Sequence, residues 1–80
     1  MQDDLRKAVF CLRLGMEGAG NHHLATFLQK LSGHLARPDI AAATPLPLLL
    51  PHIQALVEAQ ERGDYLRAAD LLEYEIRPLL

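Results

Sequence analysis

"GMEGAGNHH" spans residues 15–23 and places three glycines, an asparagine and two adjacent histidines in nine positions. The fold turns on whether these residues form a phosphate-cradling loop, a metal site or a soft spot in a packed helix. A phosphate loop requires G-x-G-x-x-G after a strand, or a following G-K-[ST], and neither is present. His22 and His23 are neighbours, so on a helix they diverge by about 100° and do not share an ion. His23 and His34 lie on one helical face but are separated by about 16 Å of helix rise. Packing is the reading left.

The flanking residues support it. Apolar side chains recur in steps of three and four from Leu5 through Val9, Leu12 and Met16 to Leu24, Phe27, Leu31 and Leu35, with Gly20 on the same stripe. Such a stripe predicts a helix, and its period is unbroken across the glycines. We therefore expect one long helix ending near Ala36, weakened by about 1 kcal/mol per glycine relative to Ala. Gly20 would allow a second backbone to approach closely. The alternative is a break near Gly20 with Asn21 as N-cap, although Leu24 stands where a capping box would carry Glu or Gln. At the amino end, Asp3 or Asp4 is the expected cap.

After Pro38 stops this helix, "ARPDIAAATPLP" reads as a linker with room for one turn from Asp39. Thr44 and Pro45 signal a second main helix starting between Pro45 and Leu50. Pro47 and Pro51 are tolerable only near its first turn. Gly63 suits the left-handed position after that helix and Asp64 suits the next N-cap. The last helix presents Tyr65, Ala69, Leu72 and Ile76 on one face until Pro78. "RGD", residues 62–64, is explained by this helix end and helix start.

The fold class expected is all-α: a small helical bundle over residues 1–80, with a long first helix and a C-terminal helical hairpin. The totals agree, because Leu and Ala dominate and only four residues are aromatic. Eighty residues make one small, marginal core that is commonly stapled by a partner. The single cysteine, Cys11, cannot form an intramolecular disulfide and suits a reducing compartment. A net charge of −2 with interspersed signs lacks the basic face of a nucleic-acid binder. No apolar run suffices for a signal peptide or a membrane span. The expectation is a soluble cytoplasmic protein without nucleic-acid or membrane partners.

Apolar residues also lie off the main stripes: Phe10, Leu14 and Leu28 on the first helix, Leu66 and Leu71 on the last. A helix apolar on two sides has two neighbours, and a second copy is the economical source of another. These five residues are the candidate homodimer face. No nucleophile stands beside a base, so no enzymatic activity is expected, and no catalytic residue or cofactor is assigned. The alternative function is a metal- or small-ligand-binding bundle built from His23, His34, His52 and nearby acids. Against it stand the missing Glu-x-x-His pairs of di-iron bundles. A DNA-binding helix-turn-helix is third, disfavoured by the acidic last helix.

The ending "GDYLRAADLLEYEIRPLL", residues 63–80, contains the pattern D-Y-x-x-x-A-D-x-L-E-Y-E-[IL]-x-P in Asp64, Tyr65, Ala69, Asp70, Leu72, Glu73, Tyr74, Glu75, Ile76 and Pro78. It resembles the C-terminal part of a group of short uncharacterised bacterial proteins, over about a quarter of the chain. The resemblance implies a small cytoplasmic helical protein and brings no activity with it. Asp70, Glu73 and Tyr74, opposite the apolar edge, form the candidate face for a protein partner.

Overall fold

Gly15 has φ +75°, a left-handed conformation that glycine adopts without penalty, and the first helix ends there. In the computed structural model, which describes residues 1–80, helices α1 (Gln2–Arg13) and α2 (Glu17–Leu35) replace the expected single long helix. Neither form of the expectation holds. The helix breaks, but five residues before Gly20. The amide of Met16 donates to the Cys11 carbonyl at 2.8 Å and that of Gly15 to Leu12 at 3.3 Å. This is the Schellman pattern, which satisfies orphan carbonyls at a helix C-terminus.

Gly20 performs the other function expected of it. The turn folds α2 back antiparallel to α1, and Gly20 lies directly against Leu12; a Cβ there would stand 2.8 Å from Leu12 Cγ. Farther along the hairpin, Lys30 Nζ donates to Asp4 Oδ2 at 2.8 Å. Asp4 is thus a cross-helix partner rather than a cap. Met1 occupies the N-cap position without a side-chain bond, and Asp3 pairs with Arg6 within the first turn.

The hydrogen bond from Lys30 holds the Asp4 carboxyl below its ordinary 3.8, while burial opposes and the charges of Lys30 and the N-terminus add. A depressed folded-state pKa contributes stability above the unfolded value, and this is lost as pH falls through the folded one. Asp4→Asn is therefore expected to be less stable than the parent near neutral pH. Urea midpoints of the two proteins should converge as pH drops below 3.8; a constant gap down to strong acid would exclude the Asp4–Lys30 tie as its source.

Beyond α2, a six-residue helix α3 (Pro38–Ala43) fills the expected linker and buries no residue. Helix α4 (Leu46–Glu61) begins where Thr44 and Pro45 indicated, although Pro51 lies inside it, past the first turn. The joint to α5 (Tyr65–Asp70) is as expected. Gly63 has φ +72°, and Asp64 Oδ1 accepts from the Arg67 amide at 3.2 Å. The final helix is not uniform. Leu71–Ile76 winds as a π-helix and Arg77–Leu79 as a 3₁₀ turn around Pro78.

One core joins α1, α2, α4, α5 and the π-helical segment, with Phe27, Leu5, Leu12, Leu24, Leu49, Leu56, Leu72 and Ile76 almost fully enclosed. Its members on the first two helices are stripe residues together with Ala8, while of the stripe Leu35 is only partly buried and Met16 sits at the turn and is exposed. Helices α4 and α5 pack against each other across the Gly63 joint, and α5 also packs against α1. Gln60 Nε2 reaches Asn21 Oδ1 at 3.4 Å and ties α4 to α2. No helix is long and apolar enough to cross a membrane.

Candidate functional site

Helix α1 buries Leu5, Ala8, Val9 and Leu12, which leaves Phe10, Arg13 and Leu14 facing outward beside the last helix. The last helix in turn buries Ala68, Ala69, Leu71, Leu72 and Ile76 and sets Leu66, Asp70 and Tyr74 on its outer side. The two outward faces meet at Arg13. Its Nη2 donates to Asp70 Oδ1 at 3.0 Å and its Nη1 lies 2.6 Å from Glu73 Oε2. That second contact is an ion pair not aligned as a hydrogen bond, and Glu73 Oε2 has no other partner. The guanidinium carbon sits 5.5 Å from the Tyr74 ring centroid, within cation–π range.

These contacts act together. Contact with the Tyr74 side chain raises the Arg13 pKa most; burial opposes, and the charge of Glu73 and the hydrogen bond to Asp70 add. Arg13 keeps its charge at any ordinary pH. An isolated exposed ion pair contributes about 0–1 kcal/mol, so the arrangement serves less to stabilise than to fix a guanidinium in one pose. Arg13, which composition and periodicity did not single out, is thus the centre of the candidate site. Its signal was only its place between Phe10 and Leu14, because its partners are 57 or more residues away in sequence.

Around Arg13, Phe10, Leu14, Leu66 and Tyr74 are each 60 % exposed or more. A groove of about 310 Å³ between α1 and the π-helical segment is lined by Phe10, Arg13, Leu14, Glu73 and Arg77, among others. A second hollow, of about 490 Å³, shares Arg13 and Leu14 and extends to Leu66. The structure therefore brings three of the five candidate dimer residues onto one surface with all three candidate interaction residues.

The remaining two lie elsewhere. Leu71 is 3 % exposed inside the chain's own core and has no surface to offer a second copy. The last helix packs against both α1 and α4, so a residue off its main stripe still finds a neighbour within its own chain. Leu28 packs partly against the core and lines a different groove with Leu35, Leu50 and Ile53, between α2 and α4.

The histidines do not converge. His22 and His23 stack edge-on at 5.5 Å, and His52 Nε2 stands 3.6 Å from Glu75 Oε2. No three or more His, Cys, Asp or Glu residues are grouped to hold a metal ion, so the set of His23, His34 and His52 is not assembled. Cys11 is buried. Comparison of the chain with protein-family models, curated proteins and solved structures finds no match.

Proposed function

We propose that this protein is a non-enzymatic, cytoplasmic helical interaction module that works as a homodimer and docks through the Arg13 face. The observation that carries the reading is the ring of exposed Phe10, Leu14, Leu66 and Tyr74 around a guanidinium held by Asp70, Glu73 and Tyr74. Aromatic residues and Arg are the types enriched at the energetic centres of interfaces. A pre-positioned Arg also loses less rotamer freedom on binding. The net charge of −2 supports a protein partner over nucleic acid.

Sedimentation of two single variants tests the reading. Leu14→Glu puts a carboxylate on the docking face and is expected to weaken self-association by about 2 kcal/mol, roughly thirty-fold. Gln29→Glu adds the same charge on an exposed position of α2 and is expected to sediment like the parent. Identical behaviour of the parent and both variants would rule out this face as a dimer interface.

A further inference from the structure

Resting on that dimer reading, we infer that two copies pair antiparallel across the Arg13 face, Arg77 of each chain binding Asp70 of the other. The last helix runs antiparallel to α1: Leu66 shares a hollow with Leu14 at one end, and Arg77 shares the groove with Leu5 and Arg6 at the other. Of the three arginines that line the groove, Arg77 has no ion-pair partner in its own chain, whereas Arg6 has Asp3 and Arg13 has Asp70 and Glu73. Asp70 lies toward the Leu66 end; it gives one oxygen to Arg13, its side chain is 57 % exposed, and its second oxygen is free to accept another bond.

A two-fold axis exchanges equivalent positions, so every contact occurs twice. Placed through Phe10, level with Glu73 and Tyr74, it sets Arg6 against the partner's Leu14 region. It also brings Arg77 level with the opposite Asp70, because the axis lies midway between residues 70 and 77. Phe10 then meets its own symmetry mate at the centre. In a parallel two-fold arrangement Arg77 meets either its own symmetry mate or the Arg6 end of the partner's α1, like charge against like charge in both cases. Charge complementarity therefore selects a second copy in the antiparallel register as the occupant.

Charge reversal in separate chains tests this register. Arg77→Glu alone and Asp70→Arg alone each create two repulsive contacts per dimer and are expected to weaken association about ten-fold or more. Mixing the two variant proteins makes both contacts attractive in the heterodimer, and sedimentation of the mixture is expected to recover parental association. Circular dichroism checks that each variant remains helical. Should Asp70→Arg unfold through loss of its bond to Arg13, the Arg77→Glu/Asp70→Asn chain replaces it and is expected to associate more tightly than Arg77→Glu alone. Association that is unaltered in the single variants, or unrecovered in the mixture and the replacement chain, would overturn the pairing while leaving a dimeric parent intact. A monomeric parent would overturn both the pairing and the dimer reading.

Discussion

Gly20→Val is expected to destabilise the protein by about 3 kcal/mol, the upper end of what overpacking a core costs. The reason is local and geometric. A Cβ at residue 20 would lie 2.6 Å from Leu12 Cδ2, 2.8 Å from its Cγ and 3.3 Å from its backbone nitrogen. Leu12 is 1 % exposed, so its side chain has no free space into which to rotate. Relief would have to come from separating α1 and α2, which would loosen the Leu24 and Phe27 contacts beyond. Valine also lacks the full helix-propensity gain that alanine would offer, about 1 kcal/mol over glycine. Gly33→Ala is the internal control, because nothing lies within 4 Å of a Cβ there and its backbone is helical. It is expected to stabilise by about 0.5–1 kcal/mol. Urea unfolding of the two variants should therefore move in opposite directions. Equal midpoints for Gly20→Val and the parent would mean that the two helices do not approach this closely.

The same nine-residue segment shows what the sequence could and could not reveal. Its apolar period identified the buried residues on both sides of the turn, because α1 and α2 present their stripes to one another and the hairpin preserves the inward direction of each. That same continuity concealed the turn. A glycine after a helix was readable at Gly63 because Asp64, a capping residue, follows it; Gly15 is followed by Met16, which caps nothing with its side chain. The π-helical winding of Leu71–Ile76 was equally hidden, since residue propensities do not separate π from α geometry, and Leu71 was misplaced because the second neighbour of the last helix is supplied by its own chain. At the candidate site, Phe10, Leu14 and Leu66 were legible as surplus apolar residues, and Asp70, Glu73 and Tyr74 as the face opposite the core edge. Their convergence was not, because it depends on α1 lying along the last helix and on Arg13 bridging the two. Such a contact leaves no periodic trace.

Phe27→Ala is expected to have the largest effect of any single truncation, about 3–5 kcal/mol. Phe27 is the only aromatic residue in the core and is 0 % exposed, on α2 between the stripe residues Leu24 and Leu31. Its removal forfeits the transfer energy of the ring and leaves a cavity that the surrounding leucines can fill only by moving whole helices. At about 0.05–0.15 kcal/mol per residue, a chain of this length has roughly 4–12 kcal/mol in total, so the variant is left close to its unfolding threshold. Near that threshold the proposed dimer becomes measurable through stability itself. Association of folded chains stabilises them by mass action, and the melting temperature then rises with protein concentration. The Phe27→Ala protein should therefore melt far below the parent, by more than 10 °C on the scale of about 4–8 °C per kcal/mol, and recover part of that loss when concentrated. In the Phe27→Ala/Leu14→Glu double variant the recovery is expected to vanish, since the buried defect remains while the proposed docking face is spoiled. A melting temperature of Phe27→Ala that does not change with concentration would show that folding draws no support from a second copy. A loss below 1 kcal/mol would show that the ring is not the keystone of this core.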